Sequence, residues 1–356
     1  MNAPAPQKMK IASGGRDSAQ AKLSELTQLL LPFAIRGLAT LGVADALADG
    51  PQPVETIAKT VGADTDALYR TLRYTAGKGV FVEFPGRVFA LTSLANWLRS
   101  DVPGSMRPRL MIDDGLVNRL EVFTEVVHTL RTGESAYQKV RGGNPFDASA
   151  ADRGTAARFH RQLSPGTQTW PDALVEAVGF AADTKIVDVG GGTGSVLGTI
   201  LSRTPALTGV LFDQPPVIEE AAAVLDSLGV ADRCDTVGGD MFDEVPAGGD
   251  TYLLSFVLHD WPDEQAAAVL ANVRAAMDDD ARLLIVESLI SDDEEQAAQA
   301  VQQDFMMMLH GVGRERTGTE HSDLLDQVGL QLESITPLGP GLSVLEARRA
   351  PNPEGN

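Results

Sequence analysis

His259 is the residue whose type and setting most directly suggest chemistry. It lies in Leu258-His259-Asp260-Trp261-Pro262-Asp263-Glu264, directly after a run that reads as a β-strand. Pro262 suits the first turn of a following helix, and Asp263 with Glu264 complement that helix's positive end. Those residues, with Asp260, are read as structural; His259 is not explained that way. A histidine just past a strand end, where open α/β sheets bind ligands, is placed to take up a proton. An imidazole near ~6.5 that must take a proton from a weaker acid faces a gap of roughly 1.4 kcal/mol for each pKa unit. A carboxylate against the other ring nitrogen narrows that gap by stabilising imidazolium and fixing the tautomer. Glu287, which closes the run Leu283-Leu284-Ile285-Val286-Glu287, is one such carboxylate, because in doubly wound order the fourth and fifth strands are neighbours.

A second constellation is Val187-Asp188-Val189-Gly190-Gly191-Gly192-Thr193-Gly194. It follows a strand and opens a helix, and glycine there lets a cofactor approach the backbone closely. A dinucleotide fingerprint, G-x-G-x-x-G, needs a third glycine where this chain has Ser195. The pattern is G-x-G-x-G instead, at Gly190, Gly192 and Gly194. Asp213 ends the next strand, at about the spacing where an acid meets ribose hydroxyls. Asp240 ends the third strand in Gly238-Gly239-Asp240-Met241-Phe242. It can accept from an adenine amino group while Met241 or Phe242 packs on the ring. Each Asp alone could be a turn acid. Three such groups at successive strand ends point together to an adenosine cofactor without a pyrophosphate.

The elements that must carry these residues alternate regularly from Lys185 onward. Strands are expected at Ile186–Val189, Val210–Phe212, Cys234–Val237, Tyr252–Val257 and Leu283–Val286, with helices from Val196, over Ile218–Leu228 and over Asp263–Met277. That alternation specifies an α/β fold, a doubly wound parallel sheet with helices on both faces. Upstream, Leu23, Leu26, Leu30, Phe33, Ala34 and Leu38 recur at helical spacing, and helices are expected at Val54–Val61 and Thr65–Ala76. Two short strands around Pro85-Gly86 complete a winged-helix outline. With 29 basic against 49 acidic residues, a net charge of −20, the chain repels nucleic acid and anionic membranes. The third helix offers only Arg70 and Arg73, so dimerisation is expected of the module rather than DNA binding. A single cysteine, Cys234, excludes an intramolecular disulfide and a thiolate metal cluster, and no metal site is expected. No apolar run is long enough for a membrane span, and a cytoplasmic location is expected.

The run from Val187 to Asp260 resembles the S-adenosylmethionine-binding core of the O-methyltransferases that include plant caffeic acid and hydroxyindole enzymes. It is closer to bacterial members acting on antibiotic precursors of the anthracycline and mitomycin type. The resemblance covers nearly the whole chain. It implies a Rossmann-like class I methyltransferase domain behind a mainly helical, winged-helix-like dimerisation domain, a homodimer, and a small aromatic acceptor methylated on a hydroxyl. Gly190 and Gly192 would then border the cofactor, Asp213 hold its ribose, Asp240 and Met241 its adenine. Ser255 stands where plant members often carry Lys and resembles the bacterial pattern. Glu315, in Gly313-Arg314-Glu315-Arg316-Thr317, would be the second acid flanking the base; its plain alternative is a loop salt bridge with Arg314 or Arg316. Met307 or Met308 would sandwich a flat substrate, and Phe159 and Leu163 would close over it. Core packing is the other reading of the methionines.

The expected organisation is a tail over 1–20, the dimerisation domain over 21–100, linking helices and a substrate cap over 101–178, the cofactor domain over 179–348, and a tail over 349–356. Within the resemblance, N-methylation, hydroxylation or decarboxylation of a similar substrate is the alternative. A nicotinamide dehydrogenase is opposed by Ser195, and a DNA-binding regulator by the charge.

Overall fold

The computed structural model describes residues 16–112, 114–143, 170–291, 294–339 and 341–351. By its internal contacts the chain divides into two units, Met1–Leu116 and Val117–Asn356.

In the first unit, local signals set the boundaries of the central helices. Gly62, at φ +69°, ends the helix Val54–Val61, and the Asp64 side chain accepts from the Ala67 amide to start Thr65–Ala76. Strands β1 (Gln52–Pro53), β2 (Phe81–Phe84) and β3 (Val88–Leu91) form an antiparallel sheet in the order β1-β3-β2. Helices and wing enclose a core of Leu38, Ile57, Leu68, Leu72, Phe81 and Phe89. The leading helical stretch is two helices, Arg16–Leu26 and Leu30–Leu41, rather than one. Of its apolar face, Leu38 is buried, but Leu23, Leu26 and Leu30 stay 63%, 71% and 67% exposed.

The second unit is built on a sheet whose central strands are covered on both faces. Such strands need apolar residues at consecutive positions. Strands β4 (Lys185–Val189), β5 (Thr208–Asp213), β6 (Cys234–Gly238), β7 (Thr251–Ser255) and β8 (Arg282–Ile290) lie parallel, in the order β8-β7-β4-β5-β6. Val187, Val189, Tyr252, Leu254 and Ile285 pack on one face, and Ile186, Leu211, Leu253, Leu284 and Val286 on the other. The chain winds outward from β4 through β5 and β6, then returns to the opposite side of β4 with β7. The crevice at the carboxyl ends of β4 and β7 is therefore the topological switch point, where such sheets bind ligands.

Four sequence expectations need correction. The sheet is mixed: beyond β8 it adds β10 (Leu330–Gly339) and β11 (Leu342–Arg349), both antiparallel, while the short β9 (Arg316–Thr317) pairs parallel with the end of β8. The fourth strand stops at Ser255 because Phe256 adopts a left-handed φ of +54°. The fifth runs on to Ile290, zipped to β11 as far as Ser288, so Glu287 lies within the strand rather than at its end. The helix expected over Ile218–Leu228 is two short ones, Pro215–Ile218 and Ala221–Ser227. Among the described residues, no helix is long and apolar enough to cross a membrane.

Candidate active site

The loop after β4 owes its shape to its glycines. Gly190, Gly192 and Gly194 all adopt left-handed φ, at +71°, +61° and +81°. A Cβ on Gly190 would stand 2.9 Å from Cγ2 of Val257, in the loop after β7. The two loops bordering the crevice thus meet with no room for a side chain.

Asp213, at the end of β5, is held against this turn. Its Oδ2 accepts from the Gly192 amide at 2.8 Å and its Oδ1 from the Gln214 amide at 2.7 Å. Asp240 lies in the loop after β6 rather than at the strand's end, its Oδ1 accepting from the Phe242 amide at 2.9 Å, which is the turn geometry that Asp favours. The same turn is fixed from the helix Asp263–Ala276: Asn272 Nδ2 donates to the carbonyls of Met241 and Phe242, each at 2.9 Å. Met241 and Phe242 pack against the core, and Phe242 meets Trp261 edge to face at 4.8 Å.

Sequence reasoning passed over Asp188. This strand residue is fully buried, and neither carboxylate oxygen has a hydrogen-bond partner. It lies beneath the glycine turn: a Cβ on Gly191 would come within 2.5 Å of its Oδ2. Burial, with the nearby Asp213 charge, pushes Asp188 up to about 7. The available signal was a carboxylate inside the apolar run Ile186-Val187-Asp188-Val189. None of the residues in the loops after β4, β5 and β6, from Gly190 to Gly194, Asp213 to Pro216 and Gly239 to Glu244, is basic. Acids without cations suit a cationic, diol-bearing nucleoside and disfavour a diphosphate. The residues present therefore fit S-adenosylmethionine.

Across the crevice, the turn after β7 carries His259, which is 8% exposed. Its Nδ1 lies 2.8 Å from Glu315 Oε1 and 3.6 Å from Glu287 Oε2. A carboxylate at hydrogen-bonding distance makes Nδ1 the protonated nitrogen of the neutral ring, so that in this form the Nε2 lone pair accepts. Glu287 also shapes the turn, its Oε1 accepting from the amides of Val257, Leu258 and His259 at 3.2, 2.9 and 3.3 Å. Asp260, read from sequence as structural, instead brings Oδ1 to 3.6 Å from His259 Nε2. Glu315 forms none of the loop salt bridges expected as its alternative: Arg314 pairs with Glu320 and Asp263, and Arg316 with Asp263.

Burial alone would lower the His259 pKa. The charges of Glu287 and Asp260, with the hydrogen bond and charge of Glu315, outweigh it and hold the imidazole up at about 10. The acids respond in turn: burial pushes Glu287 to about 7 and Asp260 to about 6, against the pull of the imidazole. A base at about 10 closes the gap to a phenol near ~10. Phe256, strained at φ +54°, packs its ring against both Trp170 and His259, with centroids 5.9 and 5.7 Å away.

Ser255 is the last residue of β7, at the edge of the crevice. Met307 and Met308 are half-buried on the helix Glu294–His310; Met308 packs with Val122, Ala136 and Leu309, and Met307 Sδ accepts from Gln303 at 3.7 Å. Phe159 and Leu163 lie outside the described residues.

Comparison with known proteins gives matches along most of the chain. The O-methyltransferase domain family matches residues 123–331, and the O-methyltransferase dimerisation domain family matches 24–101. The phenazine O-methyltransferase PhzM of Lysobacter antibioticus is 39% identical over 310 residues, 87% of this chain and 90% of that protein. An O-methyltransferase of neocarzinostatin biosynthesis, solved with S-adenosylmethionine and 2-hydroxy-5-methyl naphthoic acid, superposes with a TM-score of 0.80 at 30% identity, covering 92% of this chain and 98% of that one. The aclacinomycin 10-hydroxylase RdmB of Streptomyces purpurascens is also similar, 32% identical over 88% of this chain and 84% of its own length.

Proposed function

The chain belongs to the O-methyltransferase family, whose methyl donor is S-adenosylmethionine, and from that premise we propose that it methylates a hydroxyl of a small aromatic secondary metabolite with His259 as general base. The observation carrying this reading is the buried His259–Glu315 contact of 2.8 Å, backed by Glu287 and opening onto the same crevice as the glycine turn. The donor supplies an electrophilic methyl group on a sulfonium, so the chain has to position the acceptor and remove its proton.

Gly190 and Gly192 would let the nucleoside approach the backbone, Asp213 would take the ribose diol, and Asp240 with Met241 the adenine; Ser255 would border the methionine end. His259 would take the hydroxyl proton at Nε2 as the acceptor oxygen forms its bond to the methyl carbon. Glu315 and Glu287 would stabilise the resulting imidazolium. In the free protein the three acids keep His259 protonated at neutral pH, its pKa standing at about 10. A sulfonium bound in the adjoining crevice would oppose them and favour the neutral, accepting form. Met307 and Met308 would contact the ring. The exposed Leu23, Leu26 and Leu30 of the amino-terminal unit support a homodimer formed through that unit.

The alternatives are N-methylation, hydroxylation and decarboxylation. Retention of a base set against two carboxylates favours an oxygen acceptor, whose proton is removed more easily from a phenol than from a neutral amine. The test is transfer of isotopically labelled methyl from S-adenosylmethionine to a panel of hydroxyphenazines, dihydroxynaphthoic acids and ortho-aminophenol, with products identified by mass spectrometry. An aryl methyl ether is expected. Exclusive N-methyl, hydroxylated or decarboxylated products would overturn the assignment.

A further inference from the structure

The segment leading into β9 grips the catalytic turn, and Glu315 is only one of its contacts. Gly313 lies flat against the His259 peptide: a Cβ there would fall 1.9 Å from the His259 carbonyl oxygen. Arg316 is 1% exposed, the largest fully buried side chain among the described residues. Its Nη1 donates to the Leu258 carbonyl at 2.8 Å and its Nη2 to the Trp261 carbonyl at 2.7 Å, so one guanidinium bridges the backbone on both sides of His259. Nε and Nη2 also bond Asp263 Oδ1, at 3.0 and 2.9 Å. The segment itself is anchored. Asp304 Oδ1 accepts from the Glu315 amide at 3.0 Å, β9 pairs with Leu289 and Ile290, and Thr317 with Glu320 forms a capping box.

We propose that Arg316 is a positioning residue for the base: by pinning the Leu258 and Trp261 carbonyls it sets the register of the turn that holds His259 Nδ1 on Glu315. Resting on the reading of His259 as the base, the assignment extends that reading to a residue outside the reacting groups. A guanidinium can do this because its N–H groups form a rigid planar fork. A lysine would keep the charge but has one nitrogen and cannot span both carbonyls. Plain fold stabilisation makes a different forecast: it lowers the melting temperature without selectively releasing the imidazole.

The experiment follows the His259 Nδ1–H proton by NMR in the full-length, histidine-labelled protein, with the signal assigned by its loss in His259→Gln. Arg316→Lys should speed exchange of that proton with water by about tenfold or more, the signature of local opening. Affinity for S-adenosylhomocysteine should stay within about threefold, since the glycine turn is untouched. Asp263→Asn, at a residue whose side chain is 58% exposed, removes one anchor of the fork and should speed exchange by about threefold. If Arg316→Lys does not fold, that second variant decides. Exchange unchanged in whichever variants fold overturns the proposal, as does faster exchange matched by an equal loss of nucleoside affinity. Should His259→Gln retain full methyl transfer while Arg316→Lys still frees the proton, the base assignment falls and the clamp stands.

Discussion

The two sides of the crevice are made differently. The side formed by the loops after β4, β5 and β6 is a local construction: glycines in left-handed conformations, with a carboxylate bonded to backbone amides a few ångströms away. The side after β7 is assembled from remote segments, with Glu287 and Glu315 lying 28 and 56 positions from His259. The first is shaped by backbone conformation over one buried acid, Asp188, the second by several charged groups held together out of water. The glycine turn should be sensitive above all to added volume, and the His259 side to lost charge.

That contrast gives the order of expected effects. Replacing His259 by Gln should lower the rate of methyl transfer by about 10²- to 10⁴-fold, the usual contribution of a general base; a rate within threefold of wild type would mean that positioning alone drives the reaction. Gly190→Val puts a branched side chain at φ +71°, facing Val257 across 2.9 Å. It should weaken S-adenosylhomocysteine binding by roughly 100-fold, from about 1–3 kcal/mol of backbone strain plus the clash, while the rate at saturating donor falls far less. An affinity near wild type would mean the turn is not the cradle.

Glu315→Gln sharpens the other side. Glu315 raises the imidazole pKa towards about 10 through its hydrogen bond and charge. A base works deprotonated, so the rate rises with pH through its pKa; removing this charge lowers that pKa and moves the rise to lower pH. The plateau should fall by about tenfold, as expected when one hydrogen bond to a charged group, worth ~1.5–3 kcal/mol, is weakened. A rise moving to higher pH contradicts the assigned role. The smallest effect belongs to Asn272→Ala, which frees the Met241 and Phe242 carbonyls and should weaken nucleoside binding by about threefold to tenfold, read by calorimetry with the pH profile unchanged.

The same contrast explains what was legible in the chain. The glycine turn, Asp213 and the parallel strands β4 to β8 were readable because each is written within a few consecutive residues. His259 stood out because its neighbours had structural explanations and it did not. Asp260 was misjudged because helix-start chemistry accounted for Asp263 and Glu264 next door, whereas its place near His259 Nε2 depends on how the turn folds. The left-handed Phe256 that ends β7 carries no glycine or asparagine signal. Neither Arg316 nor Asn272 has a spacing that announces its partners, which lie 53 to 58 and 30 to 31 positions away. The antiparallel strands β10 and β11 follow one another with no helix between them, so the strand–helix alternation does not mark them.

On this reading, binding and proton removal reside on separate sides of one crevice. Calorimetric titration of S-adenosylhomocysteine into the wild type and His259→Gln, side by side, tests it most directly. Saturable binding to both is expected, with dissociation constants agreeing within about twofold, or ~0.4 kcal/mol, since the substitution leaves the glycine turn and Asp213 unchanged. No binding to either protein, or a tenfold weaker affinity in the variant, would contradict it.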